Sequence, residues 1–211
     1  MTEPLVSVIV ATRDRPAYLR DLLDSLTAST CGRLEVVIID DGSKAHEENT
    51  RVITEASKNL SILRVTNART RGTVAALNQG AAVARGDILA FTDDDCTVES
   101  GWVSRLVSGY RSYHVGGVGG RVIPIENDKV RPIAMRKDLR IGNVGQNGTV
   151  ASNFDLTCEG LLSVDHLAGP NMSFRRDVFE RLGGFDAHYQ GNAYRFETDW
   201  GVQVRRAGFT I

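Results

Sequence analysis

The sequence has few cysteines, and the three that it has share no spacing. Cys31, Cys96 and Cys158 are odd in number and far apart, and no C-x-x-C pair occurs. A disulfide framework is typically built from an even set of cysteines, and a structural zinc site from closely spaced ligands. Neither is indicated, and we predict reduced thiols in a cytoplasmic protein.

Excess charge and long apolar runs are missing as well. The 25 basic and 26 acidic side chains leave a formal net charge of -1 over 211 residues. This balance argues against a nucleic-acid binder held by bulk positive charge. No apolar run approaches the ~20 residues of a membrane span, and no signal peptide precedes the first strand. We predict no transmembrane segment, although docking at the inner face of a membrane is compatible with the sequence.

The first half of the chain alternates apolar strands with amphipathic helices. Residues 5–11 form a Val- and Ile-rich run typical of a buried parallel strand, and Pro16 suits the first turn of a helix. Further strands are predicted at 36–39, 62–65 and 88–91, with helices at 45–58 and around 74–84. The alternation predicts an α/β fold with a mostly parallel sheet flanked by helices on both faces.

The second half is less regular. Helices are predicted at 102–113, from 176 and at 197–207, with strands within 115–125 and at 171–174. The stretch 126–160 is too long for an idle connection in a compact domain, so we interpret it as a mobile lid or acceptor-binding region, with its helical content left open. The chain ends at Ile211 in what resembles the start of a strand, so we expect one domain of a longer protein.

Polar clusters follow three of the predicted strands. They are Thr12-Arg13-Asp14, Asp40-Asp41 and Asp93-Asp94-Asp95. Ligands of open α/β sheets bind at the carboxyl ends of the strands, so these clusters are expected to meet in one site.

The three consecutive aspartates are candidate metal ligands. Asp93 and Asp95 are two residues apart, so their carboxylates can grip one hard cation such as Mg²⁺ or Mn²⁺, which in turn holds phosphate oxygens. An acidic turn or a helix cap would look the same in the sequence. Cys96 follows directly, and a single cysteine there is more typical of packing.

Asp41 and Arg71 are candidate nucleotide ligands. A carboxylate at a strand end can accept the ring N–H of uracil or thymine, although Asp-Asp-Gly-Ser is also a common turn. Arg71 and Gly72 precede a helix, and a guanidinium and a helix N-terminus both favour a phosphate. A surface arginine is the plainer alternative.

The last predicted helix opens with acidic residues. Glu197 shares a helix face with Gly201 and Val204, which points it towards the domain at the active edge of the sheet. The helix dipole would help to keep Glu197 ionised, as a general base must be. Acidic residues are favoured in a first helical turn for stability alone, so both interpretations stand.

Taken in order, these segments resemble the inverting glycosyltransferase family 2, which has the GT-A fold. The similarity runs through 6–16, 37–43, 71–80, 86–95, 169–174, 183–186 and 197–208, which is nearly the whole chain. Each motif alone is weak, but the ordered set is specific.

The resemblance implies a nucleotide-binding half at 1–95 and an acceptor-binding, catalytic half at 96–211 of one domain. Around the nucleotide it implies Thr12, Arg13, Asp41, Arg71, Asp93 and Asp94, with Asp93 and Asp95 on a divalent metal, Mn²⁺ or Mg²⁺. Glu197 matches the catalytic base, but the E-T-D sequence departs from the family's E-D motif and leaves Asp199 as an alternative base.

The reaction implied by the resemblance is a single displacement with inversion. The donor would be a nucleotide-sugar, with UDP favoured over dTDP or GDP, and the acceptor a hydroxyl of a saccharide or a lipid-linked molecule. Base and metal would act on the two sides of the displacement.

Three other classes fit the sequence less well. A sugar nucleotidyltransferase would have a Gly-rich loop after the first strand, where residues 12–16 read Thr-Arg-Asp-Arg-Pro. A dehydrogenase would have G-x-G-x-x-G there, and the glycines at 116–120 lack that spacing and context. A module that binds nucleotide-sugar without transfer is the third alternative, and the presence of Asp93, Asp95 and Glu197 argues against it.

Overall fold

The computed structural model describes residues 3–29, 33–126, 129–131, 138–191 and 193–211. The first half alternates strands and helices as predicted. Its elements are β1 (Leu5–Thr12), α1 (Pro16–Ala28), β2 (Arg33–Asp41), α2 (His46–Ala56), β3 (Ile62–Asn67), α3 (Thr73–Val83) and β4 (Ile88–Phe91). Cys31 lies outside the described residues, while Cys96 and Cys158 carry free thiols.

The second half contains shorter elements. They are α4 (Trp102–Gly109), β5 (Gly117–Gly119), β6 (Ile125–Glu126), β7 (Lys129–Val130), β8 (Asn143–Val144), β9 (Val150–Ala151), β10 (Met172–Arg175), α5 (Arg176–Leu182) and α6 (Phe196–Arg206). The helix predicted to reach 113 ends earlier, at Gly109. A Cβ at Gly109 would lie 2.7 Å from Val118 Cγ1, so the chain passes β5 at a distance that only glycine allows before turning away.

Six strands form one sheet in the order β3-β2-β1-β4-β10-β5. The first four strands are parallel, with Val8 paired to Val36 on one side and to Ala90 on the other. Strand β10 is antiparallel to both of its neighbours. The predicted mostly parallel α/β sheet is therefore confirmed, and Thr12, Asp41 and Phe91 end their strands at the same edge.

Helices cover both faces of the sheet. On one face the apolar stripe of α1, which includes Leu19 and Leu23, packs with Val8 and with α4 in a buried cluster. On the other face α3, α5 and α6 pack around an aromatic group formed by Phe91, Phe174, Phe179, Phe185 and Trp200. Both halves of the chain contribute to that group and to the sheet.

The stretch 126–160 was interpreted as a lid or acceptor region, and part of it, at 127–128 and 132–137, lies outside the described residues. Its described residues contain two short strand pairs, β8 with β9 and β7 with β6, although only the last residue of β6 belongs to the stretch. These described residues include no helix. Asp165 fastens β8 to α6, because its Oδ2 accepts from Val144 N at 2.8 Å and Asn143 Nδ2 at 2.9 Å while its Oδ1 pairs with Arg205.

No helix in the described part of the chain is both long and apolar enough to cross a membrane.

Candidate active site

A cleft of about 350 Å³ opens at the carboxyl edge of the parallel strands. It is lined by residues that follow β1, β2, β3 and β4, with Gly191 from the loop before α6. The predicted residues among them are Thr12, Arg13, Asp41, Asp93, Asp94 and Asp95. The three polar clusters therefore meet as the strand order requires.

The segment after β1 is held in place by hydrogen bonds. Thr12 is buried, and its hydroxyl donates to Asp94 Oδ2 at 2.7 Å. Asp14 adopts a positive φ of 55°, and its Oδ1 accepts from the backbone amides of Lys44 and Ala45 at the start of α2. Arg13 stays half-exposed on this fixed segment, at the wall of the cleft.

The two aspartates at the end of β2 have different environments. Asp40 is fully buried and pairs with Arg64 Nη2 at 3.1 Å, which makes it a structural residue. Asp41 lines the cleft and accepts hydrogen bonds at 2.7–3.0 Å from Asn67, from Thr70 and from two backbone amides that begin α3. Burial opposes ionisation of Asp41, but these donors outweigh it and lower its pKa.

Asp41 therefore holds the start of α3 against the end of β2. One of the amides that it accepts belongs to Arg71, whose exposed side chain stands between two residues that line the cleft, Thr70 and Gly72. Both carboxylate oxygens of Asp41 already have protein donors. Direct recognition of a nucleotide base by Asp41 stays a prediction.

The three aspartates after β4 alternate in exposure. Asp93 and Asp95 are exposed, whereas Asp94 is buried. Asp94 points inward because Thr12 holds its Oδ2 and Arg15 Nη1 holds its Oδ1 at 3.1 Å. Its carboxylate is thus engaged by the protein, and its predicted contact with the nucleotide stays a prediction.

The exposed pair of acids fits a hard divalent cation. Carboxylate oxygens of Asp93 and Asp95 lie within 4.8 Å of each other and of Cys96 Sγ. Desolvation, followed by the charges of Asp95 and Asp94, raises the pKa of Asp93 to about 6, so negative charge is concentrated here. Oxygen ligands suit Mg²⁺ and Mn²⁺, whereas burial raises the pKa of the Cys96 thiol to about 12 and keeps it protonated.

Helix α6 brings the predicted base to the same region. Glu197 is half-buried, and burial raises its pKa against the opposing effects of its own backbone amide and Arg195. Its charge adds to the elevation of the Asp93 pKa, so the two carboxyl groups are close enough to interact. Asp199 instead accepts from Gln203 Nε2 at 2.6 Å. Glu197 as the base, with Asp199 as the alternative, stays a prediction.

A turn precedes β10. Asn171 N donates to Ala168 O at 2.9 Å, and the Asn171 side chain accepts from Trp102 Nε1 and donates to Arg121 O. Asn171 thus connects the start of β10 to Trp102 of α4 and to Arg121. The turn does not line the cleft.

Sequence analysis did not single out several residues of the cleft, among them Arg15 and Thr70. Arg15 contacts both Asp94 and Asp95, and Thr70 contacts Asp41. A basic residue next to the polar cluster after β1 was a visible signal for Arg15. Thr70 carries no signal, because its role depends on the pairing of loops from different strands.

Solved structures of glycosyltransferases share this architecture of a mostly parallel sheet flanked by helices. A mannosyltransferase from Pyrobaculum calidifontis, PcManGT, in complex with GDP-Man and Mn²⁺, aligns with a TM-score of 0.73 at 22% identity, covering 100% of this chain and 54% of that one. GalNAc-T7 with UDP, GalNAc and Mn²⁺ aligns with a TM-score of 0.72 at 18% identity, covering 99% and 41%. The GT-A fold expected from the sequence is confirmed.

The sequence comparisons are more specific. The profile of Glycosyl transferase family 2 matches residues 7–183. Glucosyl-dolichyl phosphate glucuronosyltransferase of Haloferax volcanii is 30% identical over 186 residues, which cover 87% of this chain and 56% of the relative. Glycosyltransferase AglE of the same organism is 28% identical over 218 residues, covering 100% and 64%. The chain belongs to glycosyl transferase family 2, and it spans 56% and 64% of the length of these two relatives.

Proposed function

We propose that this chain is the donor-binding and catalytic domain of a glycosyltransferase that moves a sugar from a nucleotide-sugar to a hydroxyl acceptor with inversion. One observation carries the proposal: the exposed acids Asp93 and Asp95 share a cleft with Thr12 and Asp41 at one sheet edge, with Glu197 close by. Family membership and relatives named as glycosyltransferases support the activity.

The donor side of the proposal is a nucleoside diphosphate sugar bound with a divalent metal. Asp93 and Asp95 would hold Mn²⁺ or Mg²⁺, and Mn²⁺ accompanies the nucleotides of both structural neighbours. When bound, the cation would offset the negative charge of the departing diphosphate. Arg71 would add a guanidinium to the same charge. UDP is our first choice of nucleotide because of the family resemblance, with dTDP and GDP as alternatives. One structural neighbour holds GDP-Man and another holds UDP.

Glu197 is proposed as the general base. It would take the proton of the acceptor hydroxyl as that oxygen attacks the anomeric carbon, and the bond to the diphosphate breaks in the same step. Partial burial raises the pKa of Glu197, which strengthens it as a base, while Arg195 and the backbone amide oppose the rise and favour the ionised form. Asp199, held by Gln203, is the second choice.

The proposed acceptor region is the stretch 126–160, which belongs to the connection between β5 and β10. A lipid-linked acceptor is one possibility that the name of the Haloferax relative supports, since it refers to a dolichyl phosphate. A cytoplasmic location and contact with a membrane face stay predictions.

The test combines donor binding with transfer. Calorimetric titration of UDP, dTDP and GDP, each with and without Mn²⁺, is expected to give metal-dependent binding of one nucleotide. Glu197→Gln should keep that binding but lose ~100- to 10,000-fold in transfer, the usual contribution of a general base. Asp199→Asn is the matched control and should stay within about tenfold of the unmodified chain, by the same range. Near-full transfer by Glu197→Gln would move the role to Asp199, and absence of any nucleotide binding would contradict the proposal.

A further inference from the structure

Arg15 occupies a particular position in the cleft. It lies directly before α1, and its Nη1 is 3.1 Å from Asp94 Oδ1 and 3.1 Å from Asp95 Oδ2. The first of these acids is buried and the second is a candidate metal ligand. A single guanidinium nitrogen therefore joins a fixed carboxylate to one that the metal would need.

The two contacts differ in how firmly they hold. The Asp94 side chain is only 6% exposed and is fixed from its other oxygen by Thr12, so this end of the bridge is anchored. The Asp95 side chain is 46% exposed and Arg15 itself 51%. Exposed ion pairs are weak and break readily, so Arg15 can leave Asp95 without leaving Asp94.

Charge explains why the contact forms. Asp93, Asp94 and Asp95 gather three carboxyl groups in one loop, and Arg15 Nη1 contacts two of them. With no metal bound, a positive side chain beside these acids offsets part of their repulsion. A divalent cation entering the site would compete with Arg15 for the Asp95 carboxylate.

A displaced Arg15 would face a second anion. It lines the cleft in which the donor diphosphate is proposed to bind. A guanidinium has five N–H donors, and its contacts to Asp94 and Asp95 involve Nη1, so others can reach phosphate oxygens.

We propose that Arg15 is an internal counter-cation that the metal displaces from Asp95 and that then binds the donor diphosphate. Arg15 therefore lowers the affinity for the metal when the metal binds alone. When the nucleotide is present, Arg15 raises that affinity. Metal and nucleotide binding become coupled through this one side chain. The inference rests on the proposed function, because it assumes that the cleft binds metal and nucleoside diphosphate.

The test is a titration of Mn²⁺ in the absence and presence of the nucleoside diphosphate that binds best among UDP, dTDP and GDP. Free Mn²⁺ is followed by its electron paramagnetic resonance signal, so no turnover is needed. The ratio of the two dissociation constants is the coupling, and linkage requires the same ratio when the nucleotide is titrated with and without Mn²⁺.

Arg15→Gln is expected to bind Mn²⁺ alone about two- to fivefold more tightly, the range that loss of one exposed competing ion pair allows. The same variant should bind the nucleotide more weakly in the presence of Mn²⁺, so the coupling should fall by about tenfold, within the usual span of such effects. Arg20→Gln is the matched control, because Arg20 is an exposed arginine of α1 that lines a different cavity. It should leave both dissociation constants unchanged.

Arg15→Lys is a second variant, which keeps the charge and should retain more of the coupling than Arg15→Gln. Thermal melting of each variant checks that the fold is intact. Unchanged or weaker binding of Mn²⁺ alone by Arg15→Gln would overturn the inference, and so would an unchanged coupling ratio, while leaving the proposed function in place. Failure of the unmodified chain to bind any of the nucleotides with Mn²⁺ would overturn both.

Discussion

Replacement of Asp41 by asparagine is expected to destabilise the domain strongly, even without any ligand. The carboxylate accepts from Asn67 Nδ2 and Arg71 N at Oδ1, both at 2.9 Å, and from Thr70 Oγ1 at 2.7 Å and Gly72 N at 3.0 Å at Oδ2. An asparagine would turn one of these acceptors into an NH₂ group that faces donors. With the NH₂ group at the Oδ1 position, Asn67 loses its acceptor, while Arg71 N keeps its second contact, to Oδ2 at 3.0 Å. With the NH₂ group at the Oδ2 position, Thr70 and Gly72 both lose their acceptor.

The magnitude follows from the hydrogen bonds that are lost. Each bond to a charged group contributes about 1.5–3 kcal/mol, so Asp41→Asn should lower the free energy of unfolding by at least about 1.5 kcal/mol. For a chain of this size that corresponds to a fall in Tm of at least roughly 3–6 °C. The assay is urea unfolding, followed by the fluorescence of the buried Trp200. Asp21→Asn, the same chemical change at an exposed position of α1, should stay within about 0.5 kcal/mol.

The pH dependence provides an independent check. The pKa of Asp41 is lowered in the folded chain, so its contribution is complete above the ordinary value of 3.8 and is lost as pH falls through the lowered folded value. The gap between the unmodified chain and Asp41→Asn should therefore be full at pH 7 and shrink in acid. A variant within about 0.5 kcal/mol of the unmodified chain at pH 7 would refute the argument that these bonds hold α3 to β2.

Three further predictions concern packing and burial. Trp200→Ala should cost about 3–5 kcal/mol, measured by urea unfolding, because Trp200 is fully buried among aromatic rings; a loss below about 1 kcal/mol would contradict this packing. Gly80→Ala should cost about 1–3 kcal/mol in the same assay, since a Cβ there would lie 2.5 Å from Ile9 Cγ2, and a stabilised variant would show that the contact relaxes freely. Burial lowers the pKa of His166 below 6.5, so stability should fall by up to about 1.4 kcal/mol per pH unit below that value, as the unfolded chain takes up the proton first. His166→Phe should remove this component of the pH dependence, and an identical pH profile for the two proteins would count against a neutral buried histidine.

The strands and helices of the first half could be predicted because the hydrophobic pattern of each lies within a short, continuous segment. The Val- and Ile-rich runs of β1 and β4 and the leucine stripe of α1 each occupy a few consecutive turns or residues. The ends of elements were less accurate. Helix α4 ends at Gly109, where the backbone passes close to Val118 of β5, and no periodicity within the helix contains that long-range contact.

The site residues likewise fall into those that local sequence patterns predict and those that depend on long-range contacts. The acids at strand ends were visible, since strand order alone brings Thr12, Asp41 and Asp93 to one edge. The inward turn of Asp94 was not, because it depends on Thr12, 82 residues away in sequence, and on Arg15, 79 residues away. The hydrogen bonds of Asp41 to the amides that begin α3 likewise join positions 30 and 31 residues apart.

The placement of β10 has a consequence for how such a domain can change. Gly119, at the end of β5, pairs with Met172, at the start of β10, so the segment between them leaves the sheet and returns to a neighbouring position. Closure entropy grows slowly with length, and doubling such a segment costs only about 0.6 kcal/mol. Val164, His166 and Leu167 are buried and Asp165 pairs with Arg205 of α6, so these four residues have to stay, whereas changes within 126–160 leave the sheet and the strand ends of the donor cleft in place. A chimera that carries another family member's residues at 126–160 should thus keep its nucleotide while it takes on a different acceptor.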